Sequence, residues 1–220
     1  MMVSFVDVKK SKEISTYINK GNELLGEMGY TEHGFAHAEK TAKKAAEILT
    51  LLGYEERVID LARISGYMHD IGNCINRFDH AQSGAVMAFR ILDNMGMAAD
   101  EISDVIGAIG NHDEGTGFAF SPISAALILA DKSDVRRSRV RSRDGSMADI
   151  HDRVNFAVHQ SNIVVHPDSK EIVLSLDIDT KISAVMEYFE IFLSRMIMCR
   201  KAAEFLDLTF ELDINNIRLL

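Results

Sequence analysis

The sequence predicts a mainly α-helical protein with a small C-terminal α+β appendage, and three observations carry that expectation. Apolar residues recur at spacings of three and four through the first 150 positions, only 14 glycines and 2 prolines interrupt 220 residues, and from about Ser161 the period changes to two. A chain of this length that is 47% hydrophobic buries a sizeable core without crosslinks. Cys74 and Cys199 stand alone with no CxxC spacing, which removes a disulfide scaffold or a zinc ribbon and suits a reducing compartment.

Ala42, Ala45, Ala46 and Leu49, and then Leu61, Ile64 and Met68, form the buried faces of two helices. Helices are expected over residues 10–28, 35–52, 55–73, 80–95, 99–113, 121–135 and 147–158, broken at Gly29, Gly53, Gly96 and the stretch from Gly115 to Gly117. Ile163 and Val165 then share one face of a strand. A Pro167-Asp168 turn follows, and Ile172, Leu174 and Leu176 alternate with Val173 and Ser175, so this segment is a β-hairpin. A helix over about 180–206 carries Ile182, Val185, Phe189, Phe192, Leu193 and Met196, and the chain closes with Leu208, Phe210, Leu212 and Ile214 in alternation. The organisation is a helical domain over 1–158 and a ββαβ appendage over 159–220. Nothing polar in the appendage has ligand-like spacing, so its expected role is packing or self-association as a homo-oligomer.

With 33 acidic against 24 basic side chains the formal charge is −9, which disfavours non-specific nucleic-acid binding. The N-terminus MMVSFVDVKKSKE develops no signal pattern, and no uncharged apolar run reaches the roughly 18 residues of a membrane helix. A cytoplasmic protein with no membrane partner is the expectation.

Eight histidines are the unusual component. His33 and His37 lie four apart at the start of the second expected helix; if Gly34 is already helical, both project from one face, either to solvent or towards a metal. His69-Asp70 in GYMHDIGN follows an apolar helical stretch, where an ionised carboxylate is costly to bury unless a cation or ion pair meets it. His80 in FDHAQSG, His112 in IGNHDEGTG and Asp131 in ALILADKSD fall at three further helix boundaries, positions that serve for capping as well as for ligation. His151, His159 and His166 come after this set and read as bystanders, the His151-Asp152 pair making surface hydrogen bonds.

The order His37, His69-Asp70, Asp131 resembles the H…HD…D signature of the HD-domain superfamily of metal-dependent phosphohydrolases over about residues 30–145. HxxxTA after His37 is similar to that family's HxxxVA helix, HDIG to the HDIGK stretch of HD-GYP domains, and His80 with Gly84 to the HxxxG element of dinuclear members. NHDEGTG is similar to their HHE element, and ILADKSDVRRSR to the ADK-x-x-x-x-R stretch of symmetrical dinucleoside-tetraphosphate hydrolases. The resemblance implies an HD-domain helical bundle in which His37, His69, Asp70 and Asp131 hold one metal, while Asp70 bridges to a second held by His80 and His112. Two departures accompany it. Asn73 stands where many dinuclear relatives have a phosphate-binding lysine, and Asn111 replaces the first histidine of the HH pair, so a third metal is not expected.

Imidazole and carboxylate ligands without thiolate suit two divalent ions drawn from iron, manganese, zinc or nickel. Two such ions less two carboxylates leave a local charge of about +2, attractive to a small phosphorylated substrate such as a nucleotide. The expected reaction is hydrolysis of a phosphoester or phosphoanhydride with a metal-bridging hydroxide as nucleophile, in which Asp70 is also catalytic. His33 resembles the first histidine of the HNxxH stretch in cyclic-nucleotide phosphodiesterases, which implies a role as acid; Asp113 and Glu114 are candidates to orient ligand histidines. Lys132 opens a run with Arg136, Arg137, Arg139, Arg141 and Arg143, and Lys132 and Arg136, then Arg139, are the expected phosphate contacts; the other reading is a solvated loop. The same ligands also serve a mixed-valence di-iron oxygenase of HD type, and a non-catalytic metal-stabilised module that binds a nucleotide or partner is the third reading.

Overall fold

The protein is described by a computed structural model covering residues 2–141 and 149–219. Arg143 of the basic run, and the first two positions of the helix expected over 147–158, lie outside the described residues.

The chain opens with α1 (Phe5–Lys10), α2 (Lys12–Glu27), α3 (Phe35–Leu51) and α4 (Glu56–Met68), followed by α5 (His80–Asn94), α6 (Ala99–Gly110) and α7 (Pro122–Lys132). The short α1 was not expected, although Ser4 and Asp7 form a reciprocal capping box that marks its start; Ser11 then ends α1 and caps α2. α3 and α4 cross closely, because a Cβ added at Gly66 would stand 2.7 Å from the Ala42 Cα. The uniformly apolar α7 is buried from Ile123 to Ala130 and packs against α3, α4 and α6. Its last turn therefore delivers Asp131 from the middle of the bundle.

Three helices end earlier than periodicity alone predicts. The helix expected over 55–73 stops at Met68 and passes into a 3-10 turn, Ile71–Cys74. There a Cβ at Gly72 would come 2.0 Å from the His80 carbonyl oxygen, so this glycine lets the HDIG turn lie directly on the start of α5. α6 stops at Gly110 rather than 113 and α7 at Lys132 rather than 135.

α8 (Ile150–Ala157) runs without a break into β1 (Val158–His166), and β2 (Glu171–Ile178), α9 (Val185–Phe205), β3 (Thr209–Ile214) and β4 (Ile217–Arg218) follow. β1 and β2 pair antiparallel with Ile163 opposite Leu174, and β2 pairs parallel with β3, with α9 as the crossover. β4 is a two-residue addition to the expected ββαβ order, turned back by Asn215 and Asn216 at φ 52° and 64°, the left-handed pair of a tight hairpin. α9 packs on α7 as well as on β3, and residues of the sheet share one hydrophobic core with the helices. Among the described residues no helix is long and apolar enough to cross a membrane. Both cysteines are free.

Candidate metal centre

Four imidazoles and two carboxylates converge at the ends of α3, α4, α5, α6 and α7. His37 comes from the first turn of α3, His69 and Asp70 from the end of α4, His80 from the start of α5, His112 from just after α6, and Asp131 from the last turn of α7. All four rings are buried. Three overlapping groups, His37-His69-Asp70, His69-His112-Asp131 and Asp70-His80-His112, each have their ligand atoms within 4.8 Å of one another.

Ring orientation follows from local backbone chemistry. The last carbonyls of a helix, and those in the turn before one, lack intrahelical partners. His69 Nδ1 donates to the Gly66 oxygen at 2.8 Å, His80 Nδ1 to the Arg77 oxygen at 3.0 Å and His112 Nδ1 to the Ile109 oxygen at 2.6 Å, each three residues back. His37 lies inside its helix, where the Gly34 carbonyl already bonds Ala38 N, and its Nδ1 donates instead to Asp134 Oδ2 at 2.8 Å. With every Nδ1 proton so engaged, all four Nε2 lone pairs face inward.

The Asp70 carboxylate is divided between them. Its Oδ2 lies 3.6 Å from His37 Nε2 and 3.3 Å from His69 Nε2, whereas Oδ1 lies 3.5 Å from His80 Nε2 and 4.0 Å from His112 Nε2. Asp131 Oδ1 adds to the first side, 3.2 Å from His37 Nε2 and 3.6 Å from His69 Nε2. Asp70 Oδ2 is buried with no hydrogen-bond donor. Paired nitrogens 3.2 Å apart (His37, His69) and 3.1 Å apart (His80, His112) present lone pair to lone pair. Acceptor-only atoms packed this way require positive charge, and the donor set fits one or more divalent ions.

The same demand is visible in proton affinities. Burial pushes the His69 imidazole down, but the Asp70 charge and the nearby carboxylate oxygens of Asp131 and Asp70 carry it up to about 10. Burial holds His112 and His80 below the usual range. Burial would raise the Asp70 and Asp131 carboxyls; the charge of His69 on the first and of Lys132 on the second reverses this, and both stay well below the usual range.

Asp134 is the polar anchor behind His37. Fully buried, it accepts from His37 Nδ1, from Lys40 Nζ at 2.6 Å and from Arg136 Nε at 2.9 Å. Its place three residues after Asp131 was the available signal, since that spacing returns a carboxylate to the same side of a helix end. Replacing Asp134 with Asn should lower metal affinity about 10- to 100-fold, measured by chelator competition, because the carboxylate no longer sets the orientation and basicity of the ring. Unchanged affinity would leave Asp134 with a packing role only.

Other expected residues are placed differently. Gly34 is the extended N-cap of α3 (φ −96°, ψ −152°), so His33 precedes the helix and does not share a helical face with His37; their rings nevertheless meet edge to face at 5.6 Å. Neither Asp113 nor Glu114 bonds a ligand histidine among the described residues; Glu114 pairs with Lys132 at 2.7 Å and with Arg195 at 2.9 Å. Lys132 is buried between Glu114 and Asp131 Oδ2, at 2.9 Å from the latter. Arg136 is held by Asp134, Ser138 and Glu32. The described arginines of the run tie loops together: Arg137 donates to the Phe156 carbonyl, Arg139 to those of Glu32 and Asp134, and Arg141 to those of Asn22 and Tyr30. Asn73 donates to Asp70 Oδ1 at 2.8 Å, and Asn111 to the Gly107 carbonyl.

A cavity of about 680 Å³ opens onto the cluster at His33 and His80. Arg77, Arg139 and Arg195 line it, while Lys132 and Arg136 do not. His151, expected to be a bystander, stands on its rim beside Asp149 at 3.3 Å. His159 and His166 lie on β1, away from the cavity.

The sequence profile of the HD domain matches residues 34–153. An uncharacterized protein of Methanocaldococcus jannaschii is 27% identical over 154 residues, 60% of this chain and 59% of that protein, so the match spans less than two thirds of the relative's length. The crystal structure of a predicted HD superfamily hydrolase from an uncultured Thermotogales bacterium is similar at 25% identity and a TM-score of 0.45, covering 57% of this chain and 68% of that one.

Proposed function

Because the chain belongs to the HD-domain superfamily of metal-dependent phosphohydrolases, we propose that it hydrolyses a phosphoester or phosphoanhydride bond of a nucleotide or similarly small phosphorylated compound. His37, His69, Asp70, His80, His112 and Asp131 would hold two divalent ions. The observation that carries this reading is the division of the Asp70 carboxylate, Oδ2 towards one histidine pair and Oδ1 towards the other. When bound, such ions lower the pKa of a water from 15.7 towards neutrality and polarise a phosphoryl oxygen.

The chain's own groups do the rest. In hydrolysis a water oxygen bonds to phosphorus, the bond from phosphorus to the leaving group breaks, and the departing atom keeps the electron pair and needs a proton. His33 lines the cavity with Nδ1 fixed on the Thr31 carbonyl at 2.7 Å, so Nε2 is its exchanging atom. Burial, and then the charge of Arg139, hold this ring well below the usual range. The resting imidazole is therefore neutral, and the proton that the attacking water sheds is the one His33 would pass on to the departing atom. Lys132 grips the second oxygen of Asp131 and leaves the first for the histidine pair. Burial of the cluster behind His33 and His80 confines bulk water to the cavity.

A panel of nucleotides and small phosphoesters tests the proposal, assayed with manganese, iron, zinc or nickel and with His69→Ala as control. Turnover by an iron-free preparation, lost in the variant, is the expected result. Activity equal to that of His69→Ala would remove the hydrolase assignment. Dioxygen consumption by iron-loaded protein with a polyol or phosphonate, without ester hydrolysis, would replace it with oxygenase chemistry, and tight nucleotide binding without turnover in any metal form would leave a binding module.

A further inference from the structure

Part of the cavity wall is built by the C-terminal part of the chain: Asp152 and Asn155 from α8, and Ile191, Phe192 and Arg195 from α9. Arg195 differs from the other cavity arginines in what it has left to give. Arg139 spends Nε and one amino group on the Glu32 and Asp134 carbonyls, and Arg77 sets an amino group 3.2 Å from His80 Nε2. Arg195 uses only Nε, donated to Glu114 Oε1 at 2.9 Å, and neither terminal amino group bonds to a described residue. Its guanidinium lies 4.5 Å over the buried Phe192 ring, so its orientation is set from both sides.

We propose that Arg195 captures the substrate's phosphoryl group, so that α9 completes the active site, and that the substrate carries one terminal phosphate on a small body rich in hydroxyl or amino groups. This rests on the phosphohydrolase reading of the metal centre. A guanidinium with both amino groups open presents two parallel N–H donors, the arrangement that meets two phosphate oxygens at once. Glu114 bridges Arg195 to Lys132, and Lys132 reaches Asp131, so a short chain of ion pairs fixes α9 relative to the metal-ligating end of α7. No sequence spacing could announce this, since Arg195 and Glu114 are 81 residues apart.

The remainder of the cavity bears on the substrate's body. Asp79, Asp113, Asp149 and Asp152 line the same space and repel further phosphates, whereas hydroxyl and amino groups can donate to them. Tyr30 and Phe78 supply apolar surface. About 680 Å³ falls within the roughly 300–1,000 Å³ of small-molecule sites and suits a body of nucleoside or sugar size.

Titration calorimetry of the manganese-loaded full chain with inorganic phosphate is the test, run on the wild type, Arg195→Ala and Arg195→Lys, with metal content measured in parallel. Arg195→Ala should weaken phosphate binding about 10- to 100-fold with metal content unchanged. Arg195→Lys, which keeps a charge facing Glu114 but not the fork, should weaken it about 5-fold or more and decides the matter if the alanine variant does not fold. Phosphate affinity within twofold of wild type in every folded variant, or affinity lost only together with metal, would overturn the assignment. In the second arm adenosine monophosphate should bind more tightly than adenosine triphosphate; the reverse order overturns the single-phosphate substrate. Arg195-dependent phosphate binding by a protein that hydrolyses no ester keeps this proposal and removes the hydrolase reading, while ester hydrolysis with an unchanged KM in Arg195→Ala does the opposite.

Discussion

Asp70→Asn is expected to lower turnover on the best phosphoester by about 10³-fold or more and to leave no more than one metal ion per chain. Both oxygens of Asp70 are in use, Oδ2 at 3.3–3.6 Å from the His37 and His69 nitrogens and Oδ1 at 3.5–4.0 Å from those of His80 and His112. An amide of the same shape keeps one such oxygen and replaces the other with a donor, which cannot share an ion with imidazole lone pairs. The substitution also meets Asn73, whose Nδ2 donates to Asp70 Oδ1 at 2.8 Å, so one of the two pairs must lose its carboxylate oxygen. Because the change is isosteric, circular dichroism should match that of the wild type while elemental analysis shows the loss. Full metal content and full activity in Asp70→Asn would show that the bridging geometry has no functional part.

Chelation should produce the largest change in stability. Four buried Nε2 lone pairs and two largely buried carboxylates converge at the cluster, and without a cation their mutual repulsion is relieved only by protons or by local opening. An ion present at about 100 times its dissociation constant stabilises the folded state by about 2.7 kcal/mol, and in a chain of this size each kcal/mol moves Tm by about 2–4 °C. Removing the metal with a strong chelator should therefore lower Tm by roughly 5–10 °C, reversed by adding back excess divalent ion. A Tm unmoved by chelation, in protein that elemental analysis shows to have been loaded and then stripped, would mean that the cluster does not couple metal binding to folding.

How far the sequence could be read depended on the range of each interaction. Apolar spacing located every long helix and the hairpin, since it reflects which face of a local element is buried. It overran the ends of α4, α6 and α7, where chain turns place His69, Asp70 and His112 beside the cluster and Asp131 in a final helical turn. The order of the candidate ligands was legible, and so is the fixing of three of the rings, because each bonds a carbonyl three residues back. For His33 the condition lay in the backbone: Gly34 is extended rather than helical, so His33 shares no helical face with His37.

Among the charged residues the basic run shows the limit most clearly. Its density beside Asp131 pointed to phosphate, yet Arg136, Arg137 and Arg141 tie the chain to Asp134, Phe156 and Asn22, and among the described residues of the run only Arg139 lines the cavity. The cationic wall instead includes Arg195, from the segment expected to serve packing or self-association.

By itself the sequence determined the helical bundle, its C-terminal appendage and the ordered set of histidines and carboxylates, because periodicity and motif spacing encode contacts within a few residues. Only the tertiary structure decided which histidine pair faces which oxygen of Asp70, that Asp134 anchors His37, and that α9 enters the cavity. The two histidines of each pair are 32 residues apart, His37 and Asp134 are 97 apart, and Glu114 and Arg195 are 81 apart. Such groups pair according to where the packed helices bring them, and burial then makes an unpaired partner costly enough to hold the arrangement.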